Sequence, residues 1–192
     1  MLGAVLLTAG KSERMGGQPK ALLRFRGKTF LELVLTAIEN AGLTSTAIVV
    51  GHHRAEIAAS FPQLSLVFNS NYGEGMSTSV QAGIRSLPPG LEGAGVFLVD
   101  QPLIDAETIV LLASHVRPGH IVLPICDGRP GHPAFFASDV FAEILDLRPD
   151  QGLNAVVRRD PSRIIAVPVS NSGVLLDVDT PEQFSNLLQE HE

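Results

Sequence analysis

Short apolar runs along this chain alternate with longer stretches in which apolar positions recur at helical spacing. That alternation marks βαβ units stacking into a mainly parallel sheet. It predicts strands over residues 4–8, 46–50, 65–68, 95–99, 120–124, 132–136, 164–168 and 174–177. Between them, Leu31, Val34, Leu35 and Ile38 fall at i, i+3, i+4 and i+7 of a helix over 29–41. Thr29 and Glu32 form a capping box at its start, and Gly42 ends it. Thr180-Pro181-Glu182-Gln183 repeats the start signal, with Pro181 at the first helical position, and opens a final helix through Leu188. Further helices are expected over 53–60, 77–87, 106–116, 139–147 and 153–159. No repeat, low-complexity segment or linker intervenes, and Pro88-Pro89-Gly90 reads as a turn. The expectation is one α/β domain over residues 1–192, a three-layer Rossmann-like arrangement about a mainly parallel sheet. In such sheets the ligand crevice lies beyond the carboxyl ends of the strands, near a switch in strand order.

Composition narrows the classes. Hydrophobic residues make up 45% and charged ones 18%, which excludes a disordered chain. The single cysteine, Cys126, rules out an intramolecular disulfide and a cysteine-rich zinc site, and is expected in the core. The first strand begins just after Met1, with no charged segment and apolar stretch of a secretory signal. No apolar run approaches the roughly 20 residues of a membrane helix. The expected setting is cytoplasmic, with no membrane partner. A net charge of −6 argues against nucleic acid as a partner. Against that acidic background, two of the three lysines lie between Gly10 and Lys20. This is a local site for a small anion.

The turn Thr8-Ala9-Gly10-Lys11-Ser12 follows the first strand, so its N–H groups are available to an anion, and Gly10 allows close approach. It is not a Walker A loop, because Val5 stands where that loop needs its first glycine. No G-x-G-x-x-G opens a helix after the strand either. What remains is a longer loop from which Arg14, by its planar fork, and Lys20, as a point charge, reach a polyphosphate. A solvated surface loop is the bland alternative. The stretch LLTAGKSERMGGQPKALL resembles the signature LAAGxSxRMGxxKxLL of the MobA-like nucleotidyltransferases, with Thr8 in place of the usual alanine. The rest of the chain is most similar to the molybdenum cofactor cytidylyltransferase branch. The resemblance implies the nucleotidyltransferase type of sheet, with Arg14 and Lys20 on the triphosphate and the turn at Ala9, Gly10, Lys11 and Ser12 against the nucleotide.

From Asn69 the chain runs NSNYGEGMSTSVQAGI, similar to a family block N-x-x-Y-x-x-G-M-x-x-S. A glycine before a helix admits a nucleobase, and a hydroxyl at the helix entry bonds its edge; Gly75 and Ser79 are the candidates. Met76, at helical spacing with Val80, Ile84 and Leu87, is expected in the core.

Two strand ends are acidic: Phe97-Leu98-Val99-Asp100-Gln101-Pro102, and Leu175-Leu176-Asp177-Val178-Asp179-Thr180-Pro181. Mg²⁺ takes one or two carboxylates and completes its octahedron with waters and phosphate oxygens, so such a pair suits it. Each aspartate is equally compatible with an ordinary turn or helix cap. The resemblance implies Asp100 and Asp179 as ligands, with Asp177 in reserve on the same face if the strand continues.

Asp127-Gly128-Arg129-Pro130-Gly131-His132-Pro133 resembles the G-x-P-G-H-P block of the cytidylyltransferase branch. By that resemblance Arg129 and His132 orient the phosphate of the second substrate, although a satisfied turn histidine is the plainer reading. His52 and His53 face different directions and receive no role, and no Ser-His-Asp order or nucleophile elbow is present. The implied activity is Mg²⁺-dependent transfer of CMP from CTP to a small phosphorylated acceptor of the molybdopterin type, releasing pyrophosphate. A sugar phosphate is the alternative acceptor. A non-catalytic chaperone handing cofactor to a molybdenum enzyme is the alternative class.

Overall fold

The computed structural model describes residues 1–190. The described residues form ten strands: β1 Leu2–Thr8, β2 Arg24–Phe25, β3 Lys28–Thr29, β4 Ser45–Val50, β5 Leu66–Phe68, β6 Gly93–Leu98, β7 Ile121–Cys126, β8 Arg129–Pro130, β9 Ala134–Ala137 and β10 Ile164–Pro168. The helices are α1 Phe30–Asn40, α2 Arg54–Ser60, α3 Met76–Ser86, α4 Ala106–Ala113, α5 Phe141–Leu145, α6 Asn154–Arg159 and α7 Pro181–Glu190. Among the described residues no helix is long and apolar enough to cross a membrane.

The main sheet runs β10-β7-β9-β6-β1-β4-β5, with β8 on β7, while β2 and β3 form a separate hairpin. β1 pairs in parallel with β4 on one side and β6 on the other. Strand order therefore turns at β1, and the crevice expected of an open α/β sheet falls beyond Thr8 and Leu98. β9 runs antiparallel between β6 and β7.

β1 is apolar at every position from Ala4 to Leu7 because both of its faces are covered. Ala4 and Leu6 join one core with Phe30, Leu31 and Val34 of α1, Ile109 of α4 and Leu187 of α7. Val5 and Leu7 join the other with Val80 and Ile84 of α3, Ile144 of α5 and Val156 of α6. The sheet is the middle of three layers. α3 rides close on β1 because Gly83 has no side chain, and a Cβ there would stand 2.3 Å from Val5. Thr29 and Glu32 make the capping box of α1, and Thr180 and Gln183 exchange bonds of 3.2 and 3.0 Å at the start of α7.

The expected strand over 174–177 does not form. Ser172–Leu175 is a 3₁₀ turn instead. The Val174 carbonyl accepts from the His132 N–H at 2.9 Å and from Gln101 Nε2 at 3.3 Å. Val178 N–H donates to the Asp100 carbonyl at 2.9 Å. The segment's backbone is thus spent on the ends of other strands, and Asp177 and Asp179 are not related by strand alternation. Cys126 is buried in the first core.

Candidate active site

A cleft of about 530 Å³ opens at the turning point of the sheet. Its floor is the end of β1 and the following turn, and its walls carry Lys20, Ser79, Asp100 and Asp179. The turn is shaped by left-handed backbone at Ser12 (φ 53°). The Ser12 carbonyl accepts from Met15 and Gly17 N–H at 2.9 and 3.1 Å, curling Glu13–Met15 into a 3₁₀ turn. Pro19 starts a second such turn, Lys20–Leu22.

The two turns bring three distant segments together. Lys20 Nζ donates to Asp100 Oδ2 at 2.7 Å and also to Asp179 Oδ1. Arg14 Nη1 donates to Asp179 Oδ2 at 3.2 Å. Burial lowers the Lys20 ammonium's pKa, but attraction and hydrogen bonds from Asp100 and Asp179 together outweigh it and hold the pKa above 10.5. Lys11 also lines the cleft, half exposed, with its Nζ 3.6 Å from Glu13 Oε1.

One ammonium touching both carboxylates means that Asp100 and Asp179 lie within reach of a single cation. No set of three or more His, Cys, Asp or Glu forms a metal cage among the described residues. The pair fits a hard divalent cation that takes its other oxygens from water and phosphate. Asp177 stands apart, its Oδ1 accepting from Gln101 Nε2 at 2.9 Å. Burial pushes its carboxyl above the usual range against the pull of Gln101, with repulsion from Asp100 and Asp179 adding to it.

On the opposite wall, Asn69 organises the entry to α3. Its Nδ2 donates to Thr78 Oγ1 and Ser79 Oγ at 2.8 and 2.9 Å. Gly75 has φ 149°, and a Cβ there would meet the Pro149 carbonyl oxygen at 2.2 Å. Gly75 and Ser79 both line the cleft. Met76 departs from its expected place in the core. As the first residue of α3 it is 49% exposed at the cleft rim, before the helix reaches the layer it packs on.

Arg129 and His132 lie outside the lining of this cleft. Arg129 is exposed on β8. His132 precedes a cis bond to Pro133, and its Nδ1 has no hydrogen-bond partner among the described residues. Burial lowers its pKa against the pull of a Val96 backbone bond and of Asp177 and Asp100. His53, given no role by the sequence, is buried and lines the cleft. Gln101, also unremarked, ties Asp177 to the Val174 segment. Its position directly after Asp100 was the available signal.

A cationic loop and paired aspartates at the open end of an α/β sheet suit a nucleotidyltransferase. The chain belongs to the MobA-like NTP transferase domain family, whose model matches residues 4–164; the family binds a nucleoside triphosphate and a phosphorylated acceptor. It is 31% identical to "Nicotine blue oxidoreductase" of Paenarthrobacter nicotinovorans over 96% of this chain and 95% of that one. It is 27% identical to "Molybdenum cofactor cytidylyltransferase" of Escherichia coli K12, over 95% and 93%. Among solved structures, Rv0371c of Mycobacterium tuberculosis H37Rv matches with a TM-score of 0.83 at 27% identity, over 98% and 97%. A manganese complex of Rv0371c matches with 0.78 at 26% identity, over 98% of each chain.

Proposed function

We propose that the chain works as one domain that transfers CMP from CTP to a phosphate monoester acceptor of the molybdopterin type, with release of pyrophosphate. The observation that carries this is the meeting of Lys20 with Asp100 and Asp179 beside a nucleotide-sized cleft. The cytidylyltransferase relative supports the choice of base and acceptor.

An acceptor phosphate oxygen attacks the α-phosphorus of CTP in line, the new P–O bond forms, and the bond to pyrophosphate breaks. The attacking dianion is already a nucleophile at neutral pH, so a general base is not needed and catalysis rests on positioning and charge. Lys20 and Arg14 neutralise phosphate oxygens. Ser79, whose oxygen already accepts from Asn69, keeps its hydroxyl hydrogen for the base edge beside Gly75. Asp100 and Asp179 would hold Mg²⁺, which supplies charge neutralisation to the phosphates when bound; that Rv0371c forms a complex with manganese supports the use of a divalent ion. His132 and Arg129 orient the acceptor phosphate from the β7–β9 side.

The test is a nucleotide panel with Mg²⁺ and molybdenum cofactor, reading pyrophosphate. Release with CTP above GTP, ATP and UTP is the expected result; release only with a sugar phosphate reassigns the acceptor. Binding of cofactor without release identifies a chaperone. The oxidoreductase relative motivates one further arm. Reduced nicotinamide consumed in place of CTP would replace the transferase reading altogether.

A further inference from the structure

The turn that lines the nucleotide side of the cleft is shaped from within only at Ser12. Its Ala9 and Lys11 carbonyls are taken by the loop joining β4 to α2. His52 N–H donates to the Ala9 carbonyl at 3.2 Å, and His53 Nε2 lies 3.2 Å from the Lys11 carbonyl oxygen. His53 is 5% exposed, and its Nδ1 faces Glu56 Oε1 at 3.3 Å from the first turn of α2. The His52 ring stands edge-on to it with centroids 4.7 Å apart, itself in reach of the Tyr72 hydroxyl at 3.3 Å. Space for this packing exists because residue 51 is glycine, where a Cβ would lie 2.6 Å from the Ala9 oxygen.

Peptide planarity converts those contacts into a statement about donors. In a trans peptide the N–H points opposite to the C=O. With the Ala9 and Lys11 oxygens held toward the β4–α2 loop, the Gly10 and Ser12 N–H groups face the other way. Neither donates to a protein acceptor among the described residues. Two free backbone donors beside a cationic loop form an anion cradle, and its orientation depends on the bond to His53.

We infer that His53 is a positioning residue for the nucleoside triphosphate: its Nε2–H, donated to the Lys11 carbonyl, holds the turn so that the Gly10 and Ser12 N–H groups stay directed at the nucleotide. The inference rests on the nucleotidyl-transfer reading. His53 touches no reacting atom, and both of its ring nitrogens face oxygen acceptors, so the ring bridges the turn to Glu56 and to α2. A shift of the turn by a fraction of an ångström disturbs binding without disturbing the sheet beneath it.

The experiment compares wild type with His53→Ala, His53→Gln and His53→Asn, measuring MgCTP affinity by calorimetry, KM for CTP and for acceptor, and the thermal midpoint. A glutamine amide nitrogen reaches the place of Nε2, whereas that of asparagine reaches only the place of Nδ1. His53→Ala and His53→Asn are expected to weaken MgCTP about tenfold with acceptor KM unchanged, and His53→Gln to return to within about threefold of wild type. Should His53→Ala fail to fold, the contrast between Gln and Asn at matched thermal midpoints decides. Equal affinities for those two variants, or a parallel rise in both KM values, overturn the inference alone. Failure of wild type to bind either CTP or GTP overturns the transferase reading with it.

Discussion

Replacing Lys20 by methionine keeps the unbranched stem and removes the charge that joins three segments. The Lys20, Asp100 and Asp179 side chains are 15%, 20% and 36% exposed, so the aspartates are left facing each other in a half-shielded setting. Two like charges about 5 Å apart at an effective dielectric of about 20 repel by about 3 kcal/mol. Solvent at Asp179 screens part of this, and the variant no longer bears the desolvation of the ammonium, leaving a net loss of about 1–2 kcal/mol at pH 7. Urea denaturation of both proteins with an unchanged slope measures it. The ammonium's pKa is raised, so its contribution is fully present below 10.5 and lost as pH climbs through the higher folded value. The gap between the two proteins is therefore expected to be flat from pH 7 to about 10 and to close above that. Millimolar Mg²⁺ is expected to restore the variant more than wild type, because a divalent cation takes the ammonium's place. Turnover of CTP falls about 10²- to 10³-fold, the cost of one donor aimed at developing charge. A variant as stable as wild type without divalent ions, or with near-normal turnover, refutes the reasoning.

Asp177→Asn keeps the oxygen that Gln101 bonds and removes a carboxylate whose raised pKa makes its ionisation costly to the fold, a cost absent below 3.8 and incurred as pH rises through the folded value. Its urea midpoint at pH 7 is expected to match or exceed wild type with turnover retained; a large loss of turnover answered by more Mg²⁺ would make Asp177 the second ligand. His132→Ala is expected to weaken acceptor saturation more than CTP saturation, and equal effects on both in steady-state kinetics end that assignment. Gly75→Ala meets the Pro149 oxygen and an unfavourable φ, so it is expected to lose about 1–3 kcal/mol in urea denaturation and to weaken CTP binding; an unchanged midpoint contradicts the close approach.

Most of the architecture was legible because both faces of the central strands are covered, which leaves apolar runs that alternate cleanly with capped helices. That the turn after β1 and Asp100 stand at the cleft was legible for a related reason: polar groups placed directly after an apolar strand stand at the open end of the sheet. The antiparallel course of β9 was not read, although only seven residues separate Cys126 from Ala134, too few for the crossover a parallel neighbour needs. The run at 174–177 has strand composition, yet its carbonyl at Val174 is claimed by His132 and Gln101, long-range partners that no local pattern reveals. His53 escaped because adjacent histidines suggested only a poor metal pair; its partner is a backbone carbonyl, which carries no sequence signal.

Crystals grown with Mn²⁺ and a non-hydrolysable CTP analogue address the central claim most directly. The expected result is one anomalous peak bridging the Asp100 and Asp179 carboxylates, with the Lys20 ammonium turned onto a phosphate oxygen of the analogue. Manganese seated away from both aspartates, or a triphosphate bound beyond the reach of Lys20 and Arg14, would contradict the account.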